Sequence, residues 1–163
     1  MTTFSFTTEH PPKRVTKVID MLRGPRLWIP TGHDYPNHDR WLDETEAQIA
    51  SGAKRAMSAY MGNKAIGAVI YRQNPDDPGI VDIRNFSVSP DARGRYVGSF
   101  LLRNAEIEAT KIDFPGTKKI VVDTKITNTD MIEFLLSHGY SIDEITDLYR
   151  LGTGLDAVLT KFV

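Results

Sequence analysis

The stretch from Ile80 to Tyr140 alternates strand-like and helix-like hydrophobic patterns, and this alternation restricts the fold more than any other feature of the chain. "IVDIRNFSV" is a β-branched run of strand length. After a loop, Leu101, Ala105, Ala109 and Ile112 recur at helical spacing, with Arg103, Asn104, Glu106 and Lys111 as polar neighbours, which predicts an amphipathic helix. "KKIVVDT" is a short, nearly all-apolar strand of the kind buried on both faces. "NTDMIEFLLSHGY" is helical again, with Asn128 or Thr129 near its start and Gly139 at its stop. Such a βαβα order calls for some parallel pairing within one sheet.

The flanks read as antiparallel. "FSFTT" alternates as a short strand, and "PPKRVTKVIDMLRG" is a helix with apolar Val15, Val18, Ile19 and Leu22 and Gly24 as a stop. "PRLWIPTGHDYPNHD" is irregular, and "DRWLDETEAQIASG" is a second helix ended by Gly52. "KRAMSAYMG" and "KAIGAVIYRQ" form a hairpin about "GN", and "NPDDPG" is a loop. "EITDLYRL" and "DAVLTKFV", joined by "GTG", predict a last hairpin. The order β α α β β β α β α β β defines an α/β chain with a mixed sheet, expected to be one domain over 1–163.

Charge and composition narrow the partners. Twenty Lys plus Arg against 21 Asp plus Glu leave a net charge of -1, too little positive charge for a chain held on nucleic acid by phosphate contacts. Cysteine is absent, which excludes disulfides, thiolate-bound metals and a cysteine nucleophile. No apolar run approaches the length of a signal peptide or a membrane span, so a cytoplasmic protein without a membrane partner is expected.

The junction "VSPDARGRYVGSFLL" carries the chemistry. Arg93, Gly94, Arg95 and Gly98 fall between a strand and a helix N-terminus, where unpaired N–H groups and the helix dipole favour an anion. Arginine adds charge-assisted hydrogen bonds to phosphate. Neither G-x-x-x-x-G-K-S/T nor G-x-G-x-x-G is present, so a nucleotide loop and a dinucleotide fingerprint are excluded. On local chemistry a phosphate cradle and a plain tight turn with solvated arginines both remain open.

The same stretch resembles motif A of the GNAT acyltransferase superfamily: a strand, Arg/Gln-x-x-Gly-x-Gly/Ala, then a helix. The element order matches that fold over nearly all 163 residues, which implies a mixed, mostly antiparallel sheet flanked by about four helices. The resemblance implies acetyl-CoA as acyl donor and an amine as acceptor. By position, Arg93, Gly94, Arg95, Val97, Gly98 and Ser99 would surround the pyrophosphate, while Phe86 and Val88 would pair with pantetheine. The Val88 amide would face the thioester oxygen. "NTDMIEFLLSHGY" resembles motif B, placing Asn128 near the pantetheine. Two positions depart from the family pattern: Tyr96 stands at the first glycine of motif A, and Leu135 where many members carry a tyrosine that protonates the departing thiolate. Family members are often dimers, so a homodimer is admitted.

Attack by a lysine-like amine requires its deprotonation, roughly 4.6 kcal/mol uphill at neutral pH. Some members carry a glutamate six residues before the Val88 position; here that place holds Asp82, read either as the base or as an ion-pair partner of Arg84. Val88 N–H would receive the oxyanion, and Tyr140, Tyr149 or water would supply a proton. Acceptor contacts are expected from Trp28 and Tyr35, with Asp34 and Asp39 attracting an ammonium, whereas Trp41 fits a helix that pins the loop. His33 and His38 lack a third ligand, so no metal is expected. The resulting expectation is an acetyl-CoA-dependent N-acetyltransferase. The alternatives are a non-catalytic acyl-CoA-binding module on the same fold and an enzyme with a longer acyl donor.

Overall fold

The computed structural model describes residues 3–24 and 36–163. Its elements are β1 (Phe4–Thr7), α1 (Pro12–Arg23), α2 (His38–Ser51), β2 (Arg55–Met61), β3 (Lys64–Gln73), β4 (Ile80–Val88), α3 (Val97–Ile107), β5 (Lys119–Lys125), α4 (Thr129–Ser137), β6 (Ser141–Thr146) and β7 (Asp156–Phe162). All the strands join a seven-stranded sheet in the order β1-β2-β3-β4-β5-β7-β6. β4 and β5 pair in parallel, and the other neighbours are antiparallel. The mixed, mostly antiparallel α/β architecture anticipated from the sequence is the one observed.

Each sheet face has its own core. Val15, Val18, Ile19 and Leu22 of α1 pack with Leu42 and Ile49 of α2 against Ala56, Ala68 and Ile70. On the opposite face Leu101, Leu102 and Ala105 of α3 join Val69, Val81, Ile83, Ile120, Val122 and Leu135. Burying each such aliphatic side chain contributes about 1.5–3 kcal/mol relative to exposure. Gly67 lets α3 sit close on the sheet, because a Cβ there would stand 2.7 Å from Leu101 Cδ1.

Three local expectations are corrected. Ile112 does not continue the buried face of α3 and is 64% exposed. After Ile107 the helix passes into a π-helical turn, Glu108–Asp113, in which Phe114 N–H donates to Ala109 O at 2.9 Å. The extra residue per turn rotates Ile112 outward. β5 is buried more fully on one face than on the other: Ile120, Val122 and Thr124 are buried, while Val121 and Asp123 alternate with them as half-buried residues. The last hairpin starts earlier than "EITDLYRL" suggests. Residues 147–155 form a loop instead, because the Asp147 carboxylate accepts from Leu151 and Gly152 N–H and Asp156 accepts from Leu148 N–H.

A bulge in β4 positions the site. Ile70 lies opposite Asn85 and Tyr71 opposite Ile83, so Arg84 is the extra residue. Beyond it the β4–β5 ladder ends: pairing covers Ile80–Ile83 with 119–122, yet β4 runs on to Val88 and β5 to Lys125. The two strands part at Arg84 and Asp123.

Candidate active site

The parted strands leave one edge of β4 unpaired. Ser89 N–H donates to Ile66 O at 2.7 Å, which makes Ser89 a hydrogen-bonded partner of β3. Alternation along an antiparallel ladder then turns the N–H and C=O of Val88 and Phe86 away from β3 and into the gap toward β5. These are the backbone groups expected to meet an extended ligand.

At the end of β4 the chain makes a 3₁₀ turn, Pro90–Ala92, and enters α3 through Arg93, Gly94, Arg95 and Tyr96. Arg93 Nε donates to Val88 O at 3.0 Å, which ties the guanidinium to the strand end and leaves its terminal nitrogens for an anion. Gly94 is left-handed at φ 71, and a Cβ there would meet nothing within 4 Å. Tyr96 is also left-handed, at φ 60, a conformation that costs a side-chain-bearing residue roughly 1–2 kcal/mol. It precedes α3, and its side chain is 77% exposed. The tyrosine at the family's glycine position thus keeps the backbone shape of glycine and turns its ring outward.

The first amides of α3, on Val97, Gly98 and Ser99, have no carbonyl of their own helix to bond. A side chain at Gly98 would fill the corner between β4, α3 and α4, 3.6 Å from the rings of Phe86 and Phe134. Phe86 and Phe134 stack obliquely at 5.4 Å, and Phe134 rests on His138 at 4.2 Å. His138 Nε2 and Ser99 Oγ share a hydrogen bond of 3.1 Å that ties the end of α4 to the first turn of α3.

A cleft of about 360 Å³ opens where β4 and β5 separate, lined by Trp41, Arg84, Phe86, Asp123, Met131 and Tyr149 among others. Asn128 also borders it. Its Oδ1 accepts from Met131 N–H at 3.4 Å as the cap of α4, and its amide donates to Thr124 Oγ1 at 3.1 Å. Asp123 accepts a 2.7 Å hydrogen bond from the Tyr149 hydroxyl and lies 3.8 Å from Arg84 Nη1. Burial pushes the Asp123 carboxyl above its ordinary value, and Asp156 and Asp82 add to this, while Tyr149 and Arg84 oppose it. A carboxyl whose pKa burial raises therefore faces the cleft.

Asp82 occupies a different environment. It is buried, accepts from Asn74 Nδ2 at 3.1 and 3.2 Å, and pairs with Arg72 Nε at 3.6 Å. The expected partner, Arg84, is carried off by the bulge to Asp123, and Arg72 stands directly across the ladder from Asp82. Asp82 does not line the cleft.

Tyr140 is likewise placed away from the cleft. Its hydroxyl donates to Glu106 Oε1 at 2.8 Å, Lys161 Nζ donates to Glu106 Oε2 at 2.9 Å, and burial followed by the Glu106 charge holds the phenol far above its usual range. Leu135 is fully buried in the core beneath α4. Trp28, Tyr35, His33 and Asp34 lie outside the described residues. Asp39 pairs instead with Arg23 at 3.1 Å. Among the described residues no group of three or more His, Asp or Glu side chains is arranged to hold a metal ion.

Sequence reasoning missed Asp123 as a site residue, took Arg84 only as a partner for Asp82, and gave Trp41 a purely packing role. Trp41 borders the cleft, stacks on His38 at 5.8 Å and takes Lys54 Nζ 4.7 Å above its ring. A signal for Asp123 was present: it is the one carboxylate in "KKIVVDT" and directly follows the apolar run Ile120, Val121 and Val122, where an ionisable group needs a special environment.

A profile described as the Acetyltransferase (GNAT) family matches residues 19–140, and the chain belongs to that family. A Desulfovibrio desulfuricans protein assigned to the GNAT acetyltransferases has the same fold (TM-score 0.78, 14% identity, 98% of this chain and 99% of that one covered). So does the ribosomal-protein-S18-alanine N-acetyltransferase of Escherichia coli (0.74, 14%, 99% and 94%). PaiA N-acetyltransferase from Thermoplasma acidophilum, solved in complex with coenzyme A, aligns equally well (0.74, 15%, 99% and 99%). Comparison with curated protein sequences found no significant match.

Proposed function

We propose that the protein transfers an acetyl group from acetyl-CoA to a primary amine by direct attack of the amine on the thioester. The observation that carries this is the gap between β4 and β5, which exposes the polar backbone of Phe86 and Val88 and ends at the arginine-bearing N-terminus of α3. Arg93, Gly94, Arg95, Val97, Gly98 and Ser99 would hold the pyrophosphate through guanidinium and amide donors, and Asn128 would border the pantetheine arm. The coenzyme A complex of the Thermoplasma relative supports the same donor here.

Acetyl-CoA supplies the activated acetyl group. Asp123 takes the proton of the incoming amine, directly or through one water, a role its raised pKa suits better than an ordinary carboxylate. Val88 N–H, aimed into the gap, stabilises the developing oxyanion. As the new C–N bond forms and the C–S bond breaks, the thiolate leaves without a dedicated acid. A thiol pKa near about 8.5 makes it a tolerable leaving group at neutral pH. Buried Leu135 and remote Tyr140 are consistent with that economy.

The lack of a tyrosine acid also motivates a second reading, a non-catalytic acyl-CoA-binding module. Thiol release that depends on added amine would eliminate it. Calorimetry of acetyl-CoA binding, with wild type beside an Arg93→Ala, Arg95→Ala double variant, tests the donor site. Binding by the wild type that is lost in the variant supports the assignment; failure of both to bind overturns it.

A further inference from the structure

We propose that the acceptor is a small zwitterion, an α-amino acid with an apolar side chain, whose carboxylate is held by Arg84 while its amine is delivered to Asp123. This rests on the acetyl-transfer reading above and names its substrate class. Arg84 and Asp123 present opposite charges side by side at the mouth of the parted strands. Arg84 Nη1 and Asp123 Oδ1 stand 3.8 Å apart, beyond hydrogen-bond distance. Its guanidinium lies 6.0 Å from the centre of the Tyr149 ring, within cation–π reach. An α-amino acid carries its ammonium and carboxylate on one carbon, so a cation and an anion set this closely match both ends at once. A planar fork that binds a carboxylate through two N–H groups is the recognition for which arginine is suited.

The rest of the lining favours the same class. Among the described lining residues Asp123 is the sole carboxylate, while Arg84 and Lys125 are cationic. Lys125 is itself neutralised by buried Asp156 at 3.0 Å. A polyamine would bring a further ammonium against Arg84 with one carboxylate to receive it, whereas an amino acid brings a compensating anion. Trp41, Met131, Leu151 and the Tyr149 ring supply apolar surface for a side chain. A volume of about 360 Å³ is at the small end of ligand sites, and the acetyl group must share it.

The step balances within these groups and solvent. The ammonium first gives one proton to solvent; the neutral nitrogen then forms a bond to the acetyl carbon and passes its second proton to Asp123 as the C–S bond breaks, and coenzyme A leaves as thiolate. The product is an N-acetyl amino acid.

The test is thiol release under saturating acetyl-CoA with apolar amino acids such as phenylalanine, leucine and methionine, their amides, the corresponding decarboxylated amines, and spermidine. The free acids are expected to show kcat/KM about tenfold or more above their amides, which keep the shape but lose the charge. In Arg84→Gln the rate with the acids falls and the gap between acid and amide closes. Amides, decarboxylated amines or spermidine turning over as fast as the acids would overturn this inference while leaving acetyl transfer intact. Release with none of these acceptors would overturn this inference, while acetyl-CoA binding by calorimetry would still decide the donor site.

Discussion

The Tyr149 hydroxyl donates to Asp123 Oδ2 at 2.7 Å, joining the β6–β7 loop to the strand that borders the cleft. The contact fixes the carboxylate's orientation and leaves its other oxygen toward Arg84. It also opposes the effect of burial on the Asp123 pKa without cancelling it.

Asp123→Asn is therefore expected to lower amine-dependent thiol release by about 100-fold or more, the ordinary worth of a general base. The wild-type kcat/KM should fall on the acid side at a pH above the ordinary carboxylate value of 3.8. Stability has the opposite sense. A carboxyl with a raised folded-state pKa stabilises most below 3.8 and loses that contribution as pH rises through the folded value. The variant should melt no lower than wild type at pH 7, which thermal unfolding across pH would show.

Tyr140→Phe separates structure from chemistry. Removing the donor to Glu106 costs about 1–2 kcal/mol of stability, because a half-buried carboxylate loses one of its hydrogen bonds. Thiol release should stay within about twofold of wild type, since the phenol borders the core and not the cleft. Denaturant melts and steady-state assays on one preparation would decide it.

Gly67→Ala tests the seating of α3. The new methyl would meet Leu101 Cδ1 at 2.7 Å and Ser87 O at 3.3 Å, and overpacking of this kind costs about 1–3 kcal/mol. Because α3 carries the anion-binding amides at its N-terminus, acetyl-CoA affinity should weaken along with the melting temperature. A variant that loses stability but binds as tightly as wild type would uncouple the two.

Lys54 is buried under α2, where it donates to Thr45 Oγ1 at 2.9 Å and sits over the Trp41 ring. Desolvation first, then Arg84 and Arg72, lower its pKa to about 8 from 10.5. Between those values the unfolded chain binds more protons than the folded one, so folding stability should rise with pH across that window. Lys54→Met should remove this rise, read as the difference between the two melting curves from pH 7 to 10.5.

Much of the fold was legible because its causes are local. The periods of "IVDIRNFSV" and "KKIVVDT", the stop at Gly139 and the cluster Arg93, Gly94, Arg95 and Gly98 all act over a few residues, and each led to an element or junction the structure contains. Ile112 escaped the same reasoning because a π-helical turn adds a residue that no side-chain pattern marks. The start of β6 escaped it because the carboxylates of Asp147 and Asp156, which fold the following loop, act through backbone groups several residues away.

The sequence by itself determined the element types, the parallel strand pair and the basic strand-to-helix junction, since propensity, periodicity and turn chemistry are properties of neighbouring residues. Only the tertiary structure decided which carboxylate meets the cleft. A single bulged residue, Arg84, changes the alternation of β4, leaves Asp82 to Arg72 and brings Arg84 to Asp123. Strand side chains have a period of two, so one inserted residue reverses which face each later side chain joins, and only the pairing with neighbouring strands reveals where it falls.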